Sequence, residues 1–181
     1  MSKYLQRGCY HFQEFANRNS PYAKHVDDLL AQLSTHIGRS MPMKAISAHE
    51  VGCGEGLILD QVAKRLGWTV SGNDIDAVAV DMARRLIPDR SIHLHDEAFL
   101  FTWFVDVILF CDSLEHIKEW ELHLEWAKRK SGFIVIAVPD RHDPNGERDF
   151  KATSFDKVMN GWVVKHRETR HARHLTIWAR P

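Results

Sequence analysis

Cysteine is scarce in this chain: Cys9, Cys53 and Cys111 are an odd number, and none has the short spacing of a metal-binding pair. Neither a disulfide framework nor a zinc site is suggested, and a reducing compartment fits best. An excess of either charge is also lacking, since 24 Lys and Arg balance 24 Asp and Glu. The chain as a whole therefore exerts no pull toward nucleic acid or an anionic membrane, although Lys128-Arg129-Lys130 and the stretch from Lys165 to Arg180 are locally basic. No run of about 18 apolar residues occurs, and no apolar signal-type segment opens the chain, so membrane spanning and export are not expected. Internal repeats and low-complexity segments are missing as well. The expectation is a soluble, cytoplasmic protein of one domain over residues 1–181, with 44% apolar content to fill its core.

From Ala45 onward, strand-like and helix-like segments alternate, the pattern of β-α units around a largely parallel sheet. Strands are predicted at Ala45 to Val51, Trp68 to Gly72, Ser91 to Leu94, Val105 to Cys111 and Phe133 to Val138. Helical stripes at Ile58, Leu59, Val62, Ala63, Leu66 and at Val78, Ala79, Met82, Ala83, Leu86 fall between them, with Gly67 as a stop for the first. A helix is predicted from Ser113 to Lys130, a surface loop from Pro139 to Thr153, and a short helix capped by Ser154 to Asn160. Trp162 to Lys165 and Leu175 to Ala179 read as an antiparallel hairpin. Residues 1–44 are polar apart from a stripe of Val26, Leu29, Leu30, Leu33 and Ile37 on a helix from Tyr22. That stripe suits a helix packed on the sheet, with a lid over the ligand site as the alternative.

Residues 50–56 read Glu50-Val51-Gly52-Cys53-Gly54-Glu55-Gly56, between the first strand and the first helix of the α/β region. Glycines there allow positive φ and close backbone approach to a ligand, and the helix start behind them offers unpaired N–H groups. The spacing is G-x-G-x-G with Leu57 next, so the dinucleotide pattern G-x-G-x-x-G is not met. Open α/β sheets bind ligands beyond the carboxyl ends of their strands. Three further ends carry Gly72-Asn73-Asp74-Ile75-Asp76, Asp96 and Cys111-Asp112-Ser113. An acid at the second end can accept two hydrogen bonds from a ribose diol, whereas Asp76 reads as the N-cap of the helix from Ala77.

These ordered elements resemble the class I S-adenosylmethionine-dependent methyltransferases, in particular their small-molecule branch, over about residues 45–138. Asp112-Ser113-Leu114-Glu115-His116-Ile117 is similar to the LEH segment of that branch. The resemblance implies a Rossmann-like three-layer α/β sandwich with a seven-stranded, mostly parallel sheet whose last strand is antiparallel. It implies S-adenosyl-L-methionine as cofactor. Gly52, Gly54 and Gly56 would let the backbone pass under its methionine and ribose portions, with Glu50 near the amino group. Asp74 would hold the ribose hydroxyls, Ile75 the adenine face, Asp96 the adenine amino group with Glu97 beside it, and Cys111 the methionine portion, mainly through backbone.

Methyl transfer needs in-line approach, positioning and exclusion of water, plus a base where the acceptor carries a proton. His116, just beyond strand four, is the candidate base, and a helix-start histidine bonded to backbone or Glu115 is its bland alternative. Asp112, Glu115 and His116 have i, i+3, i+4 spacing, similar to the E-x-x-E-H metal segment of small-RNA 2′-O-methyltransferases, with His142 as a fourth ligand. Asp112 departs from that segment's usual Glu, and LEH also occurs in metal-independent relatives, so no metal is expected. His93 and His95 read as solvated or packed, and His166, His171 and His174 with Arg167, Arg170 and Arg173 as a solvated hairpin. The expected activity is methyl transfer to oxygen or nitrogen of a small-molecule acceptor. An RNA methyltransferase and a non-catalytic S-adenosylmethionine-binding module are the alternatives.

Overall fold

The computed structural model describes residues 10–41, 45–94, 103–140 and 148–181. Its centre is a seven-stranded sheet of β1 (Ser47–Val51), β2 (Thr69–Asp74), β3 (Ser91–Leu94), β4 (Val105–Cys111), β5 (Ser131–Pro139), β6 (Val163–Arg170) and β7 (Arg173–Ala179). The strand order is β3-β2-β1-β4-β5-β7-β6. The first five strands pair in parallel, and β7 enters antiparallel between β5 and β6. This is the Rossmann-like arrangement expected, and the chain reverses its winding between β1 and β4, where such sheets open a crevice.

Alternation within the central strands builds two apolar layers. Val107, Leu109, Val135, Ala137, Leu175 and Ile177 face one side, where α2 (Pro21–His36), α3 (Leu57–Leu66) and α4 (Ala77–Leu86) bury their stripes. Ile108, Phe110, Ile134, Ile136, Val138 and Trp178 face the other, against α5 (Trp120–Lys130) and the buried Phe150, Phe155 and Met159. Strands covered on both faces read as continuous apolar runs, as β4 does. A short α1 (Tyr10–Ala16) precedes α2 and packs Phe12 and Phe15 on the first cluster.

Local capping follows the sequence closely. Gly67 ends α3 in the left-handed conformation, and Asp76 caps α4 by accepting from Val78 and Ala79 N–H. Ser20 caps α2, accepting from Ala23 N–H at 3.0 Å, and Pro21 occupies the first turn.

Two helices depart from expectation. The segment 113–130 is not one helix: a 3-10 turn at Leu114–His116 is followed by an extended Ile117, and α5 starts only at Trp120. Residues three apart eclipse in a 3-10 turn, which lets buried Leu114 and half-buried Ile117 both pack on the second cluster. Residues 152–161 form successive turns in place of the helix predicted from Ser154 to Asn160. There Ser154 Oγ accepts backward from Lys151 N–H at 2.7 Å, and Phe155 and Met159 still reach the core. The terminal hairpin is longer than predicted, since β6 runs to Arg170 and β7 begins at Arg173.

Candidate active site

The carboxyl ends of β1, β2 and β4 converge around the glycine loop. Asn73 carbonyl accepts from Gly52 N–H at 2.8 Å and Cys53 N–H at 2.9 Å. Asp74 Oδ2 accepts from Gly54 N–H at 2.8 Å, and Oδ1 from Asp76 N–H at 2.9 Å. The loop thus hangs from the end of β2. Gly54 has φ 53, in the left-handed region where a side chain is strained. Gly52 and Gly56 serve the protein's own packing: a Cβ on Gly52 would stand 2.6 Å from Ser113 Cβ, and one on Gly56 2.6 Å from Ile87 Cδ1. All three take the positive φ that the sequence reading allowed, whereas the packing of residues 52 and 56 was not legible because their tertiary neighbours are remote in the chain.

Glu50 is buried at the end of β1, and its Oε2 has no hydrogen-bond partner among the described residues. Burial, then the charges of Asp74 and Asp112, push its carboxyl well above its ordinary pKa. Burial and the Glu50 charge likewise push up the thiols of Cys53 and Cys111, so both stay protonated and are poor nucleophiles. Cys111 sits where predicted, at the end of β4. Ile75 directly follows Asp74 beyond the end of β2 and is 71% exposed. Asp96, Glu97 and His142 lie outside the described residues.

His116 is exposed on the 3-10 turn beyond β4, its N–H bonded to Ser113 carbonyl and its Nε2 3.9 Å from Glu115 Oε1. Asp112 adopts φ 51, a left-handed conformation uncommon outside glycine. Its carboxylate pairs with Arg173 of β7, Nε to Oδ1 at 2.7 Å and a terminal nitrogen to Oδ2 at 3.0 Å. Asp112, Glu115 and His116 therefore do not line one helix edge, and among the described residues no three His, Cys, Asp or Glu side chains are grouped to hold a metal.

Sequence reasoning missed the contribution of α1 and α2. Tyr22 is half-buried, within electrostatic reach of Asp112, Glu50, Cys111 and Arg173, and desolvation with those acidic groups raises its phenol pKa. His25, on the same turn, has its pKa lowered to about 4, first by burial, and is neutral near pH 7. Glu55, inside the glycine loop, accepts from Phe12 N–H of α1 at 2.8 Å. The signal available in sequence was the polar Tyr22 and His25 on an otherwise apolar stripe. The helix is thus both packed on the sheet and turned with its first turn toward the site.

The sheet order, the antiparallel seventh strand and the glycine loop at the strand-switch crevice define the class I S-adenosylmethionine-dependent methyltransferase fold. The sequence model of the family described as a methyltransferase domain matches residues 16–180, and the chain belongs to that family. It is an enzyme whose methyl donor is S-adenosylmethionine. Among curated proteins nothing matches. Among solved structures, magnesium protoporphyrin IX methyltransferase from Synechocystis PCC 6803 with bound SAM is similar at TM-score 0.72 and 16% identity, over 89% of this chain and 80% of that one. The plantazolicin methyltransferase BpumL in complex with SAH is similar at TM-score 0.71 and 13% identity, over 95% and 90%. At such identities the likeness is one of fold. Among the described residues no helix is long and apolar enough to cross a membrane.

The residues present suit this donor. A buried carboxyl oxygen of Glu50, without a hydrogen-bond partner among the described residues, can take an ammonium group, and Asp74 stands at the next strand end.

Proposed function

We propose that this enzyme transfers the methyl group to an oxygen or nitrogen of a small-molecule acceptor. In this reading Glu50 holds the donor's amino group and the backbone at Gly52, Gly54 and Gly56 carries its methionine and ribose portions. Asp74 takes the ribose hydroxyls, Ile75 the adenine face, Asp96 and Glu97 the adenine amino end, and Cys111 backbone the methionine chain. The bound donor supplies an activated methyl on sulfur. The protein's part is to orient the acceptor, exclude water and, at the exposed imidazole of His116, receive a proton from the acceptor.

The distribution of basic groups carries the choice of acceptor. Lys128, Arg129 and Lys130 end α5 at the start of β5, and Arg180 binds back to Lys128 and Ser131 carbonyls there, at the edge opposite the glycine loop. On the site's side, Arg170 and His171 pair with Asp28, and Arg173 with Asp112. A continuous basic path toward the loop, which an RNA substrate calls for, is not what these placements support.

Calorimetry with S-adenosylmethionine and S-adenosylhomocysteine, followed by labelled-methyl transfer into small-molecule and RNA pools, tests the reading. Binding of both and labelling of the small-molecule pool is expected. No heat with either ligand overturns the site assignment, and label entering RNA alone overturns the acceptor class. His116→Ala should lower kcat about 100-fold or more while leaving S-adenosylhomocysteine affinity unchanged.

A further inference from the structure

One buried polar side chain of β1 has no part in the site as assigned. His49 is 3% exposed, in the middle of the strand. Its Nδ1 lies 2.8 Å from Ser71 Oγ and its Nε2 2.8 Å from Asn73 Oδ1, so the ring spans two residues of β2. The register sets His49 opposite Ser71 and Val51 opposite Asn73. A buried imidazole is costly unless its nitrogens are bonded, and an aliphatic β-branched residue would satisfy packing at such a position. With Asn73 Oδ1 accepting, Nε2 carries the hydrogen and Nδ1 accepts from the Ser71 hydroxyl.

Asn73 is also the point from which the loop hangs. Its carbonyl accepts from both Gly52 and Cys53 N–H, and the next residue, Asp74, holds Gly54 N–H. Any rotation at Asn73 would move the acceptor shared by two consecutive loop amides. We propose that His49 is a positioning residue for the methyl donor: by pinning the Asn73 side chain, its imidazole holds the backbone from Gly52 to Gly54 in the shape that receives the donor. The proposal rests on that loop being the donor site. It names a role no glycine-loop pattern carries, since the ring acts from the strand before the loop through the strand after it.

The test measures S-adenosylhomocysteine affinity by calorimetry in the wild type, His49→Leu, His49→Gln, Asn73→Ala and the double variant His49→Leu/Asn73→Ala, at a temperature where circular dichroism shows each folded. His49→Leu should weaken binding about tenfold or more, given the sensitivity of such sites to displacements of about 1 Å. His49→Gln, which can still donate to Asn73 Oδ1, should recover most of the loss. At saturating donor and acceptor, kcat should stay within about threefold of wild type, and the double variant should be no weaker than the worse single one. Asn73→Ala keeps the backbone carbonyl and removes the side-chain amide with its Oδ1, so it reads the same link should His49→Leu fail to fold. A lowered melting temperature with wild-type affinity in His49→Leu or Asn73→Ala, or losses that multiply in the double variant, would overturn the proposal alone. A wild type that binds no S-adenosylhomocysteine would overturn the donor site and the proposal with it.

Discussion

Glu50 carries opposed demands of folding and binding in a single side chain. Its carboxyl is buried, one oxygen is unpartnered among the described residues, and its folded-state pKa is raised above the ordinary 4.5. An acid with a raised folded pKa binds more protons folded than unfolded, so its contribution to stability falls as pH rises through the window upward from 4.5. Glu50→Gln should therefore raise the melting temperature of the ligand-free protein at neutral pH. The gap to wild type should open as pH rises, and thermal melts across pH check it; parallel curves would contradict the assignment. The same variant should lose about 1–3 kcal/mol of donor affinity, because a neutral amide replaces a charge-assisted contact to the ammonium. Gly54→Val should remain folded yet largely lose donor binding, since a branched side chain is strained at φ 53 and fills the approach path. Wild-type affinity in a folded variant would remove that loop from the donor site.

Among the elements, α2 was legible in its apolar stripe and its Ser-Pro start, because helical period and capping are local properties. Its aim was not legible. Tyr22 and His25 come within electrostatic reach of Asp112 and Arg173 only because the fold brings the first turn of the helix near the ends of β4 and β7. The break in the predicted 113–130 helix has a similar origin: the periodicity of α5 extends backward through Leu114, but packing of Leu114 and Ile117 on the second cluster favours a 3-10 turn. α1 is tied to the glycine loop through Glu55, 43 residues away. Glu55→Ala should cost about 1–3 kcal/mol by leaving the Phe12 N–H without its acceptor. Limited proteolysis should then cut near α1 while α2, held by its buried stripe, stays protected; an unchanged digestion pattern would count against this coupling.

For the whole molecule, zero formal charge conceals a partition in which Lys128, Arg129, Lys130 and Arg180 gather at the end of α5, away from the glycine loop. Binding to single-stranded RNA, followed by fluorescence anisotropy from low to physiological salt, should be weak throughout and have a log-log slope well short of that of a protein neutralising many phosphates. A steep slope with tight binding would favour the RNA alternative. The sequence by itself determined the alternation of strands and helices, the glycine loop and the acids at the strand ends. Each rests on period, capping or backbone freedom within a few residues. Only the tertiary structure decided that Gly52 and Gly56 answer to Ser113 and Ile87, that Arg173 reaches back 61 residues to Asp112, and that His49 meets Asn73. Those pairings depend on β1 lying between β2 and β4 and on β7 entering beside β5. Strand order of that kind is settled by packing among distant segments, which local spacing does not record.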